Sequence, residues 1–193
     1  MNYFTELPFP KFENAYSELQ RLLEHKILIW GKQNQICLNS VESEPENYLL
    51  GSGSLTLDWD NAVQQNNNGS LKISPIKIKN PLRESDFNTL CNQFVGSVFE
   101  DMYILITSKY RVGRVRLMQS HPKSCLSWHV DNTPRLHYPL KTQEGCLMVI
   151  DNVAHHLPVN TWWMTDTLKK HTALNASNQS RIHLVCSILP TNN

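Results

Sequence analysis

The sequence predicts a mainly β protein, a double-sheet jelly roll or related barrel with α-helices packed on its outside. From Tyr103 onward the chain is a succession of short runs rich in β-branched and apolar residues, separated by turn-formers. Ahead of them, two stretches carry apolar residues at helical spacing among polar ones. Many short strands with polar connections bury their apolar faces by forming two packed sheets or a closed barrel, and the helices then cover the outside.

The first helix is expected over residues 14–25, where Tyr16, Leu19, Leu22 and Leu23 share one face, and the second over residues 85–99, with Phe87, Leu90, Phe94, Val95 and Val98 on its apolar side and Ser85 as N-cap. Residues 32–80 between them are rich in Asn, Gln, Ser and Gly, include the tract Gln64-Gln65-Asn66-Asn67-Asn68-Gly69, and read as strand-like pieces (54–59 and 71–78) joined by long loops. The later strands are expected at 111–119, 125–130, 135–140, 145–151, 161–164 and 181–189. A chain of 193 residues holds one full-sized domain. Residues 1–102 are expected to be helices and loops flanking the barrel, and residues 103–190 its core.

Composition leaves several classes of function unsupported. A formal charge of +1 gives no field to gather nucleic acid or an anionic membrane. No apolar run approaches the roughly 20 residues that span a bilayer, and the N-terminus is acidic where a secretory signal is basic. Five scattered cysteines, none in a C-x-x-C pair, argue against a disulfide framework or a structural zinc site and fit a reducing cytoplasm. The sequons at Asn68, Asn175 and Asn178 are then chance.

The chemistry is carried by Ser127-Trp128-His129-Val130-Asp131, which runs into the turn signal Asn132-Thr133-Pro134. Two apart on an extended chain, His129 and Asp131 project to one side and grip one ion. Lys170-His171-Thr172 supplies a second imidazole far downstream. Two imidazoles and a carboxylate are the facial triad of non-haem Fe(II) oxygenases, which leaves coordination positions open. An H-x-D pair alone is a weak signal, because His and Asp at a strand end often form only a hydrogen-bonded turn. Arg181 strengthens it: ten residues after His171, it opens the last strongly apolar strand, where an inward guanidinium would need a carboxylate partner.

Together these residues resemble the 2-oxoglutarate oxygenase superfamily, and within it the aspartyl/asparaginyl β-hydroxylase-like branch. The matching elements are His129-x-Asp131, the run Arg135-Leu136-His137-Tyr138-Pro139-Leu140-Lys141-Thr142, then Thr161-Trp162-Trp163, and last His171-x-x-x-Asn175-x-Ser177-x-x-x-Arg181-Ile182-His183-Leu184, spread over residues 111–189. The resemblance implies a double-stranded β-helix of the cupin type, Fe(II) as cofactor, 2-oxoglutarate and dioxygen as cosubstrates, and hydroxylation of an unactivated C–H bond. It assigns the metal to His129, Asp131 and His171, the far carboxylate of 2-oxoglutarate to Arg181, and a place beside the metal to Arg135 and His137. The small hydroxyl residue usual on the strand before H-x-D aligns with Met118 or Gln119.

The expected substrate is an amino acid, free or as a side chain of a peptide or protein, and a guanidinium at Arg135 would suit a carboxylate on it. Two other readings keep the fold: a jelly-roll binding module without turnover, and a cupin-type metalloenzyme that does not use 2-oxoglutarate. The remaining candidates have blander expectations. The tandem His155-His156 is expected on the solvated surface, His183 as a hydrogen-bonded core histidine, Trp162 and Trp163 on opposite faces of a strand, and Asp166 in a turn. No cysteine has the setting of a nucleophile.

Overall fold

The computed structural model describes residues 2–67 and 70–191, so Asn68 and Gly69 of the polar tract, and the sequon at Asn68, lie outside the described residues. In chain order the elements are β1 (Phe4–Leu7), α1 (Ala15–Glu24), β2 (Gln35–Cys37), β3 (Asn39–Ser40), β4 (Leu57–Asn67), β5 (Ser70–Lys77), β6 (Thr89–Leu90), α2 (Val98–Lys109), β7 (Val112–Ser120), β8 (Ser124–Cys125), β9 (Arg135–Lys141), β10 (Cys146–Ile150), β11 (Val153–His155), β12 (Trp162–Thr165), β13 (His171–Asn175) and β14 (Arg181–Ile188). A six-stranded sheet in the order β1-β12-β9-β14-β7-β2 faces a four-stranded sheet in the order β11-β10-β13-β8. Every pairing within them is antiparallel. This is the double-sheet jelly roll, mainly β with flanking helices.

Alternation along the strands sorts the two faces of the large sheet. Leu117, Leu136, Tyr138, Leu140, Trp162, Ile182 and Leu184 point outward and are buried with Leu19 and Leu22 of α1 and Met102 and Ile106 of α2. Burying each such side chain contributes roughly 1.5–3 kcal/mol, so the outer face is the main core and fixes the register of the sheet. Tyr138 Oη accepts from the Phe12 backbone N–H at 2.7 Å, and Trp162 Nε1 donates to the Pro10 carbonyl at 2.9 Å. The N-terminal segment is thereby strapped across the outside.

The structure corrects several boundaries. The second helix is α2, twelve residues beginning at Val98, and its N-cap is Ser97, whose hydroxyl accepts from the Phe99 N–H. Residues 85–95 do bury Phe87 and Phe94, but in short 3-10 turns. Thr89–Leu90 pairs instead with β3, the Asn39 side chain donates to the Phe87 carbonyl at 2.6 Å, and Gly96 at φ 75° breaks the path into α2. The barrel core thus opens at Val112 rather than near Tyr103, and the first hundred residues contribute β1 and β2 to the large sheet. Residues 126–130 carry a single bridge, His129 to His171, rather than a strand. Trp162 and Trp163 do take opposite faces, the second packing with Phe4, Met148, Ile150 and Leu157 between the sheets. Among the described residues, no helix is long and apolar enough to cross a membrane.

Candidate metal centre and cosubstrate pocket

The irregular segment after β8 delivers the metal-ligating pair. The His129 N–H donates to the His171 carbonyl at 3.0 Å and the His171 N–H returns to the His129 carbonyl at 2.8 Å. The Asp131 N–H donates to the Thr167 carbonyl at 2.9 Å. These bonds hold the first imidazole and the carboxylate against the start of β13, and the ligand atoms of His129, Asp131 and His171 lie within 4.8 Å of one another. His129 is exposed, Asp131 half-buried and His171 buried.

Both imidazoles are oriented by backbone oxygens. Nδ1 of His129 donates to the Ser127 carbonyl at 2.7 Å, and Nδ1 of His171 donates to the Lys169 carbonyl at 2.9 Å. A carbonyl only accepts, so each Nδ1 carries the proton and each Nε2 presents a lone pair. That tautomer is the one a metal requires of a ligand whose far nitrogen is already tied. Burial pushes the His171 pKa down, which favours the neutral, ligating form. Two neutral imidazoles and a carboxylate therefore fit a divalent cation.

The inner face of the large sheet, opposite the triad, is polar where an ordinary core is apolar. Arg181 is buried, 6% exposed, and its Nε has no hydrogen-bond partner among the described residues. Desolvation brings its pKa down to about 10. His137 and His183 are buried beside it, ring centroids 5.8 Å apart, and among the described residues neither ring has a partner on either nitrogen. Burial, with the Arg181 and Arg135 charges, pushes His137 down to about 3, and His183 is lowered well below its usual value by the same burial and by Arg181. Both stay neutral at physiological pH. His183 is therefore not the hydrogen-bonded core histidine expected from sequence; it is buried on the inner face with no hydrogen-bond partner among the described residues. Among the described residues no carboxylate pairs with this buried guanidinium, a setting that suits an anionic ligand.

Arg135 is placed by an acid. Its Nε donates to Asp131 Oδ2 at 2.9 Å and its Nη1 to Thr133 Oγ1 at 2.6 Å. The same Asp131 oxygen lies 3.7 Å from His171 Nε2, so Arg135 abuts the candidate metal site directly. A cavity of about 760 Å³ opens on this corner, between Asp131, Thr133 and Arg135 on one side and residues 54–56 and 80–84 on the other. The second tandem histidine reading is also corrected. His155 is half-buried, with its ring 4.9 Å from Phe4 and 4.7 Å from Trp163, and His156 bonds the Cys146 carbonyl.

Sequence reasoning missed three inward residues. Arg114 and Arg116 alternate on β7 with the outward Val115 and Leu117, a charged-apolar pattern that is legible in sequence only once the inner face is known to be a pocket. Ser120 stands directly opposite Arg181 in the β7–β14 register. It supplies a hydroxyl on the side that Met118, paired with His183, fills with a thioether.

With this geometry in hand, comparison with known families is decisive. The sequence profile of the aspartyl/asparaginyl beta-hydroxylase family matches residues 17–190. The chain belongs to that family. Comparison with curated proteins finds no match. Among solved structures, a viral collagen prolyl hydroxylase from Paramecium Bursaria Chlorella virus-1 is 11% identical over 97% of this chain and 91% of its own, with a TM-score of 0.48. An oxidoreductase of the 2OG-Fe(II) oxygenase family from Burkholderia pseudomallei is 14% identical over 95% and 94%, with a TM-score of 0.40. A cupin domain from Bordetella pertussis is 18% identical over 40% of this chain and 81% of its own, with a TM-score of 0.35.

Proposed function

We propose that this family member is an Fe(II)- and 2-oxoglutarate-dependent dioxygenase that hydroxylates an unactivated C–H bond of an amino acid or an amino-acid side chain. The observation that carries the reading is Arg181, a buried guanidinium with an unpartnered Nε on the face that looks toward the triad. His129, Asp131 and His171 hold the metal through Nε2, a carboxylate oxygen and Nε2. Bound iron with 2-oxoglutarate and dioxygen supplies the oxidising power for the C–H bond, which no side chain of this protein has. Arg181 would hold the far carboxylate of 2-oxoglutarate, with the Ser120 hydroxyl on the same row of the sheet. His137 and His183, both neutral, give this pocket hydrogen-bonding capacity without adding charge or releasing a proton. Arg135 orients Asp131 through its Nε bond and reaches the cosubstrate or substrate on its other side.

The unpaired buried guanidinium set opposite three convergent ligand atoms favours the oxygenase reading over a binding module and over a cupin metalloenzyme of another class. The metal half of the proposal is tested by measuring bound Fe(II) anaerobically. One ion per chain is expected in the wild type, with loss of stoichiometric binding in His129→Ala and in His171→Ala. Unchanged metal content in both variants removes the triad assignment.

A further inference from the structure

Two corners at which the chain crosses between the sheets meet beside Arg181. Residues 121–123 lead from β7 in the large sheet to β8 in the small one, and residues 176–180 lead back from β13 to β14. Arg181 is the first residue after the second corner, and Ser120, its register partner, is the last before the first. Among the described residues no hydrogen bond holds the Arg181 Nε, so the place of the guanidinium depends on the backbone that carries it.

One side chain ties both corners together. Asn175, the last residue of β13, is buried, and its Nδ2 donates to the carbonyls of Gln179 at 2.7 Å, His121 at 3.1 Å and Ser120 at 3.2 Å. Its Oδ1 accepts from the Ser177 N–H at 3.1 Å, the Ser177 hydroxyl at 2.7 Å and the Cys146 thiol at 3.2 Å. The Ser177 oxygen in turn accepts from the Gln179 N–H at 3.2 Å. A carbonyl only accepts and a backbone N–H only donates, so the amide has one workable orientation, nitrogen toward Ser120, His121 and Gln179. A single NH2 group therefore holds the residue two before Arg181 in the chain and the residue opposite Arg181 in the sheet. The metal ligands are secured separately, since His171 begins β13 and is bridged to His129 by its own backbone.

We infer that Asn175 is a positioning residue for the cosubstrate, its side-chain amide holding Arg181 where the guanidinium meets the far carboxylate of 2-oxoglutarate. The inference rests on the oxygenase reading, and the two are separable by experiment. 2-Oxopentanoate keeps the keto-acid end and the five-carbon chain of 2-oxoglutarate and has a methyl group in place of the far carboxylate. Both keto acids are titrated calorimetrically into anaerobic Mn(II)-loaded protein. The ratio of their dissociation constants reads the contact with Arg181 alone. A wild type that binds both equally loses Arg181 as the anchor, and the role of Asn175 falls with it. A wild type that prefers 2-oxoglutarate leaves the variants to decide the role of Asn175.

In Asn175→Ala the preference for 2-oxoglutarate should fall by roughly tenfold or more, since a misplacement of about 1 Å in a positioned group can cost about 100-fold. Affinities for Mn(II) and for 2-oxopentanoate should stay as in the wild type, whereas a general loosening of the fold weakens both keto acids alike. Placed in Arg181→Met, the same substitution should leave 2-oxoglutarate affinity where Arg181→Met has already put it, because two residues that act through one guanidinium do not add. An undiminished preference in Asn175→Ala, or an equal weakening of both keto acids, overturns the inference. Should Asn175→Ala fail to fold, Ser177→Ala decides, since it removes only the hydroxyl that bonds the Asn175 amide and the Gln179 N–H. A lowered preference for 2-oxoglutarate in Ser177→Ala supports the inference, and an unchanged one overturns it.

Discussion

Replacing Arg181 by methionine should make the protein more stable and functionally empty. The side chain is 6% exposed, and its guanidinium is brought by desolvation from 12.5 to about 10. At about 1.4 kcal/mol for each pKa unit, that burial costs on the order of 3 kcal/mol in the absence of a ligand. Methionine has a similar length and needs no counterion, and exchanging buried charge for apolar volume is often stabilising by about 1–4 kcal/mol. In a domain of this size each kcal/mol moves the melting temperature by roughly 2–4 °C, so ligand-free Arg181→Met is expected to melt several degrees above the wild type. With Mn(II) and 2-oxoglutarate the order should reverse, because truncating one partner of a buried charged pair weakens binding by about 2–5 kcal/mol. Arg181→Lys should recover little, since an ammonium does not reproduce the planar two-bond fork. Thermal melts of both proteins with and without 2-oxoglutarate read the whole cycle. A ligand-free Arg181→Met that melts lower, together with an undiminished 2-oxoglutarate shift, refutes the assignment of Arg181 as an uncompensated anchor.

The neutral inner histidines predict acid sensitivity. His137 is lowered from 6.5 to about 3 in the folded protein, so below pH 6.5 the unfolded chain binds the extra proton and stability falls, by about 2 kcal/mol for this histidine at pH 5. The window runs from pH 6.5 down to about 3, and His137→Gln should flatten it in denaturant titrations; an unchanged pH slope contradicts the burial argument. Arg135→Ala and His137→Ala should each change a Michaelis constant for 2-oxoglutarate or for substrate, and constants unaltered in both would put the pair outside the pocket. Against the upward push of burial, Glu84 is held at about 2 by its bonds from the Arg114 Nε, Nη2 and backbone N–H and by the charges of Arg114 and Arg116, while Arg114 Nη1 donates to the Gly51 and Gly53 carbonyls. A Cβ at Gly113 would stand 2.8 Å from the Glu84 side chain, so only glycine admits this approach. One guanidinium thus pins both ends of the β4–β5 hairpin insertion beside the cavity. Glu84→Gln should destabilise by about 2–3 kcal/mol, below the fully buried range because the carboxylate is partly exposed, and should speed proteolysis within residues 54–83. Unaltered cleavage there would show that the clip does not restrain the insertion.

The sequence carried the barrel well where period and packing agree. Strands β7, β9, β12 and β14 lie within a residue or two of their expected positions because their outward residues form one continuous apolar face under the helices, and β10 does so because Met148 and Ile150 pack with Phe4 and Trp163 between the sheets. It misled at residues 85–99, where helical spacing of Phe87, Leu90 and Phe94 was satisfied by turns and a two-residue pairing with β3, a contact about fifty residues away that no local pattern encodes. It also took the run before His129 for a strand, although Leu126, Trp128 and Val130 are exposed and one bridge to His171 does the positioning. The candidate site was legible through His129, Asp131, His171 and Arg181 because their types and order are specific. Arg114, Arg116 and Ser120 were not, since alternation says which residues share a face and not which face looks inward.

The central claim, that the triad and Arg181 together form a 2-oxoglutarate site, is tested most directly by calorimetric titration of 2-oxoglutarate into anaerobic wild-type protein with and without Mn(II). Saturable binding of one 2-oxoglutarate per chain, dependent on the metal and lost in Arg181→Ala while the metal stays bound, is the predicted result; no measurable binding to the metal-loaded wild type would contradict it.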